Sequence, residues 1–326
     1  MSKNQRPEAL ADLNEAVKLE PGNVGNFLVR ASYYMFTKQF AAANADLDHA
    51  LSLDAKNAMA HVGRGLVFRA QNQLDKALLE FDRALALNPE LAPAHAGRGI
   101  TLNLRGEYDA ALAEFDRAIA IDPKNGEARA GRGFGLVMKG RTAEALSDFD
   151  RSLENEPGNV AALLGRASAM IASGQYDRAI AGLDQIVAKG TTDPFAYSFR
   201  GQAFMSKGNF DKAISDFDRA LELKPDFADA LWGRGNAWLQ KRDYGRALLD
   251  LDRAIQFNPN KIANYAARAS VYEAQGKRDL AMTDLRMAAG LTPKTVFDTL
   301  AQAGAKKRIE ELSKRDPCGV GGRDCL

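Results

Sequence analysis

Apolar residues return along this chain with a helical rhythm, and that rhythm itself repeats. From Ala77 to Pro89 the sequence reads ALLEFDRALALNP; 34 residues later, from Ala111 to Pro123, it reads ALAEFDRAIAIDP. The same pattern comes back at Ala145, Ala213 and Ala247, each time closed by a proline. Spacings of three and four between apolar positions predict helices, and a fixed period of this length predicts an array of stacked repeats. With Pro89 placed at position 32, units begin at Val24, Ala58, Ala92, Gly126, Val160, Pro194, Ala228 and Ile262. These eight units run to Thr295 without insertion or deletion.

Each unit reads as two helices. Position 8 is always glycine or alanine, position 20 always alanine and position 24 always leucine or phenylalanine, while position 27 is alanine except at Ser152 and Ile186. Small residues let two helices approach closely, and the large one at position 24 fills the space beside them. A frequent glycine at position 15 (Gly106, Gly140, Gly174, Gly208, Gly276) marks the turn between the helices. The aspartates three residues on, such as Asp109, Asp177 and Asp211, are expected to cap the second helix. Proline at position 32 should end it. Asn23, Asn57, Asn125, Asn159 and Asp193 stand where the next first helix needs its cap.

Taken together, these signatures resemble the tetratricopeptide repeat, over about residues 24–295. The resemblance implies an all-α solenoid, a right-handed superhelix of antiparallel helix pairs. Two positions depart from the family pattern. Position 4, usually tryptophan, is Phe27, His61, His95, Arg129, Leu163, Tyr197, Leu231 and Tyr265, and position 7, usually leucine, is arginine in all eight units.

Both ends and one joint break the rhythm. Within residues 1–23, Ala9, Leu13, Ala16, Leu19 and Pro21 fit positions 20, 24, 27, 30 and 32, a second helix without its first. This half-unit suggests a truncated start. Around Ile186–Pro194 the small residue and the proline are both lost, which predicts a soft joint over residues 152–194. After the array, residues 296–315 form an amphipathic capping helix. Residues 316–326 form a flexible glycine-rich tail holding Cys318 and Cys325, a candidate disulfide or two idle thiols.

Charge changes this picture little. Lys and Arg number 44 against 42 Asp and Glu, so no basic footprint for nucleic acid is evident. No apolar run is long enough to span a membrane, and the first residues lack a secretory h-region. A cytoplasmic location is the default, with the periplasm or secretion if the start is truncated. The close similarity of the units resembles bacterial arrays.

The arginines at position 7 (Arg30, Arg64, Arg98, Arg132, Arg166, Arg200, Arg234, Arg268) recur with acids at positions 23 and 25. Opposite signs at fixed offsets predict a structural ladder rather than a ligand site. His61 and His95 share position 4 but have no third ligand for a metal, and are expected to be core substitutes for tryptophan. The run GRGFG at Gly131 has no strand before it, so it is not a phosphate loop. No nucleophile–base spacing stands out. The expectation is a protein that is not an enzyme and carries no cofactor or metal.

The resemblance implies a partner-binding inner face at positions 2, 5, 9, 12 and 13 of the first helices. Here that face carries Leu28, Met35, Val62, Leu66, Ile100, Leu104, Phe134, Val137, Met138, Leu164, Ile171, Met205, Trp232, Asn236 and Leu239. Position 5 never holds lysine, so the carboxylate clamp of some family members is absent. An apolar groove of this kind predicts an interaction scaffold that holds an extended or helical segment of a protein partner. Two alternatives stand beside it: the regulatory array of a larger enzyme, or a self-associating module.

Overall fold

The computed structural model describes residues 6–314, so Cys318, Cys325 and the tail lie outside the described residues. Every regular element among the described residues is an α-helix. A first helix, α1 (Arg6–Leu19), precedes sixteen that alternate as first and second helices of each unit. These are α2 (Val24–Phe36) with α3 (Phe40–Leu53), α4 (Ala58–Ala70) with α5 (Leu74–Leu87), α6 (Ala92–Arg105) with α7 (Tyr108–Ile121), and α8 (Gly126–Met138) with α9 (Thr142–Asn155). There follow α10 (Val160–Ala172) with α11 (Tyr176–Ala188), α12 (Pro194–Ser206) with α13 (Phe210–Leu223), α14 (Ala228–Gln240) with α15 (Tyr244–Phe257), and α16 (Ile262–Ala274) with α17 (Arg278–Gly290). The last is α18 (Val296–Lys314). Two compact units result. One runs to Gly135 and includes Glu154–Glu156; the other comprises Leu136–Leu153 and everything from Pro157 onward.

Local chemistry explains where helices start and stop. Asn57 and Asn159 accept from the amides of Ala60 and Ala162, Asn23 from Gly25, Asn125 from Ala128 and Asp193 from Phe195, so the first helices are capped as expected. The residues before Pro89, Pro123 and Pro225, namely Asn88, Asp122 and Lys224, are extended, and each second helix ends just ahead of them. All eight residues at position 15 have positive φ. Five are glycine, while Lys38, Asn72 and Arg242 adopt φ of 58°, 59° and 61°. The turn imposes a left-handed residue whatever its side chain.

The aspartates after the turn are a correction. The N-cap position of α7, α11 and α13 is Glu107, Gln175 and Asn209, so Asp109, Asp177 and Asp211 lie inside the first turn. There an acid still favours the helix dipole. Asp177 and Asp211 reach across to Lys207 and Lys241 of the following unit, and Asp75 pairs with Arg105 at 3.0 Å in the same register.

The core is a chain of aromatic plugs. Phe81 is fully buried between two glycines: a Cβ on Gly65 of its own unit would come within 2.7 Å of its ring, and one on Gly97 of the next within 2.5 Å. Phe115 sits likewise between Gly99 and Gly131, and Phe217 between Gly201 and Gly233. Position 6 therefore matters as much as position 8, a constraint the sequence pattern had not isolated. It also accounts for Gly131 in the GRGFG run, which lies within α8. Where position 24 is leucine, position 6 of the next unit can be larger, as with Leu183 and Phe199 or Leu251 and Ala267.

At the C-terminal end, α18 packs on α16 and α17. Ala305 is buried there with Leu285 and Ala288, while Ile309 and Leu312 pack against the same cluster. Gln302 donates to the carbonyls of Ala289 and Leu291, and Arg308 donates to the carbonyl of Ala266.

Candidate functional site

The arginine ladder is structural, as the paired offsets imply. Six of the eight position-7 arginines stand sixteen residues from an acid on either side; Arg30 has Asn14 before it and Arg166 has Gly182 after it. Arg234 donates to both carboxylate oxygens of Asp250 at 2.8 and 2.7 Å and to Asp218 of the preceding unit at 2.6 Å. Arg200 joins Asp216 and Asp184 in the same way, and Arg268 joins Asp284 and Asp252. The acids at position 23 are buried, whereas those at position 25 are exposed except the half-buried Asp218. A planar fork is suited to bridging two units in this way.

Hydrogen bonds to Asp216 and Asp284 hold Arg200 and Arg268 above the ordinary arginine pKa. At Arg234 burial opposes the shift most strongly, yet the bonds to Asp250 and Asp218 together raise it. A cation whose folded-state pKa is raised stabilises fully below its unfolded value. That contribution fades only as pH rises through the folded one. Arg200, Arg234 and Arg268 thus stay charged across the whole neutral range.

His61 and His95 belong to the same network. Each Nδ1 lies 2.7 Å from a buried carboxylate, Glu80 and Glu114 respectively, and His95 Nε2 lies 2.9 Å from the Pro89 carbonyl. These are the two units that place glutamate at position 23. The longer acid reaches both the imidazole at position 4 and the arginine at position 7, as when Glu114 also accepts from Arg98 at 2.8 Å.

With the ladder absorbed into structure, the first-helix face is the candidate surface. In the first compact unit it is made by α2, α4, α6 and the start of α8. Phe134 is 44% exposed and Leu104 59%, while Leu66 and Ile100 are half-buried against the clusters around Phe81 and Phe115. Leu28 and Met35 are half-buried beside Ala31 and Leu47. Val62 departs from expectation: at 2% exposure it is a packing residue beneath this face.

Two polar residues at position 12, missed by the sequence reading, lie in the same register. Arg69 is largely buried, its Nη1 has no hydrogen-bond partner, and Glu127 stands 3.7 Å from its Nη2. Burial lowers the Arg69 pKa, and the Glu127 charge offsets part of that. Asn103 is also buried. Its Nδ2 donates to the Gly131 carbonyl at 2.8 Å, leaving Oδ1 without a partner. The available signal was that position 12 is apolar in five of eight units and charged or amidic at Arg69, Asn103 and Glu273.

In the second compact unit, Val137 and Leu164 are buried at 2% and 8%, so they too leave the candidate surface. Ile171, Met138, Met205, Trp232 and Leu239 are half-buried. Trp232 is anchored by its Nε1 donating to the Ala263 carbonyl at 3.2 Å, and Asn236 spends its Nδ2 on the Trp232 carbonyl. Among the described residues no cluster of three or more metal-ligating side chains occurs, and no helix is long and apolar enough to cross a membrane.

Family models described as tetratricopeptide repeat match residues 28–92, 71–126, 136–203 and 200–262. These spans cover more than half of the chain, which belongs to the tetratricopeptide-repeat family. No curated protein matches it. Among solved structures it resembles a tetratricopeptide repeat protein from Parabacteroides merdae (21% identity, TM-score 0.58, covering 76% of this chain and 98% of that one). It also resembles the anaphase-promoting complex assembly Cut9–Hcn1 (20%, 0.72, 92% and 59%) and yeast Tom70 (16%, 0.54, 98% and 87%). At these identities the likeness is one of fold. The repeats make the chain a protein-interaction scaffold, a fold that is typically non-catalytic.

Proposed function

We propose that the first-helix face of the first compact unit is a non-catalytic adaptor surface for a segment of another protein, apolar with an embedded carboxylate. The observation that carries this reading is the pairing of exposed Phe134 on α8 and Leu104 on α6 with the largely buried, incompletely bonded Arg69 on α4. Apolar side chains of the partner would cover Leu66, Ile100, Leu104 and Phe134. An acidic group would meet the Arg69 guanidinium in competition with Glu127. Exposed apolar surface supplies affinity, and a few convergent polar groups fix the register.

Selection of a random peptide library on the purified chain tests it. The expected product is a set of peptides pairing spaced apolar residues with an Asp or Glu. These should lose binding to a chain carrying Phe134→Glu and Ile100→Glu whose circular dichroism is unchanged, and Arg69→Ala should relax the acidic preference. Peptides that bind both chains equally would show that this face is not the site.

A further inference from the structure

One ion pair in the first compact unit is built unlike the ladder. Arg69 stands near the end of α4, at position 12, and Glu127 in the first turn of α8, at position 2. The pair therefore joins two first helices that are not successive, with α6 between them in chain order. In the ladder, Arg30 holds Asp46 by bonds of 2.8 and 2.6 Å. Arg69 Nη2 and Glu127 approach only to 3.7 Å, beyond hydrogen-bond distance. Their surroundings differ as well: the Arg69 side chain is 20% exposed and that of Glu127 62%. Arg69 Nη1 is buried without a partner. Glu127 thus lends charge to a desolvated guanidinium but none of the bonds its fork of donors can make. Leaving costs Glu127 little. Its carboxylate is largely hydrated already, and in the first turn of α8 it keeps the favourable field of that helix.

We propose that Glu127 is a built-in stand-in ligand, which neutralises Arg69 in the free chain and yields the guanidinium to a carboxylate from outside. The inference rests on reading the first-helix face as the binding surface, and it adds a gate to that surface. A segment with an acid exchanges a loose pair for one closed to bonding distance, because its carboxylate is not tethered to α8. A segment without an acid leaves Glu127 in place and has to pack against a charged side chain. Glu127 therefore sets the selectivity of the surface as well as its resting state.

Acetate is the simplest probe, read by NMR at the Arg69 Nε–H resonance, which Arg69→Lys identifies by its loss. With chloride exchanged for acetate at fixed ionic strength, this resonance should move along a saturable curve in the whole chain. Glu127→Gln should lower the midpoint about threefold or more, as expected when an exposed competing pair is removed. Glu127→Asp keeps the charge but shortens the arm, so it should give most of the same fall; a general field effect would leave it at the native midpoint. Both variants alter an exposed side chain, so the fold is kept. Equal midpoints for the native and Glu127→Gln chains would overturn the proposal, as would the absence of an acetate response in both. The partner reading fails separately. If the midpoint falls but selected peptides show no preference for an acid, the gate stands and that reading does not; if peptides need Phe134 while the midpoints are equal, the surface stands and the gate does not.

Discussion

Two units in the second compact part of the molecule, residues 160–193 and 228–261, share a register and differ in almost every structural device. In the latter, Arg234 bridges Asp250 and Asp218 with three bonds, Ala254 is fully buried at position 27, and Pro259 follows the second helix. In the former, Gly182 replaces the acid at position 23 and Arg166 has Asp150 at 3.2 Å; Ile186 is half-buried at position 27. Helix α11 ends at Ala188, ahead of Gly190 at φ 73° instead of a proline. Yet both units form two helices. The lesson is that helix formation follows from apolar spacing alone, whereas the ladder, the small residues and the proline set how firmly neighbours are tied. The turn reverses the contrast, since the otherwise regular unit holds Arg242 in a left-handed conformation where the irregular one has Gly174.

The steric plug offers the largest way to break the regular joint. A Cβ on Gly233 would come within 2.4 Å of Phe217, so Gly233→Val should cost about 3 kcal/mol or more by overpacking. Adding Phe217→Leu should recover a good part of it, reproducing the Leu183–Phe199 combination of the irregular joint. A double-mutant cycle in urea reads the coupling.

Next comes the ladder. Asp250→Ala should destabilise by about 2 kcal/mol, since it leaves Arg234 with only the half-buried Asp218, whereas Asp150→Ala beside Arg166 should cost under about 1 kcal/mol. Hydrogen exchange in α14–α15 and in α10–α11 gives the two values separately. Similar losses at both sites would dissolve the distinction.

Two smaller changes should add stability. Arg242→Gly relieves a left-handed side chain and is expected to gain up to about 1 kcal/mol, while Gly174→Ala should lose about as much. Gly182→Asp restores the missing acid opposite Arg166, where an added Cβ meets nothing within 4 Å. Together with the improved helix propensity it should gain about 0.5 kcal/mol. Thermal melts of each single variant against the native chain decide both.

Much of this architecture was legible in the residues. Period, helix starts, asparagine caps and the arginine ladder are local or translationally repeated, so one unit predicts the next. The aspartates after the turn were placed wrongly, because an acid in a first turn looks the same in sequence whether it caps its own helix or reaches Lys207 and Lys241 of the next unit. The inner face was harder still. Helical spacing put Val62, Val137 and Leu164 beside Leu104 and Phe134, but depth beneath the surface depends on neighbouring units, and the first three are buried.

The sequence by itself determined that this chain is an array of 34-residue helix pairs with arginines facing acids at fixed offsets. Periodicity and caps act within a unit and need no knowledge of the whole. Only the tertiary structure decided that Phe81, Phe115 and Phe217 are clamped between glycines of successive units, and that Arg69 and Asn103 keep unspent bonding capacity. Each of these depends on the distance between residues far apart in the chain, and that distance is set by how helices stack rather than by what either helix contains.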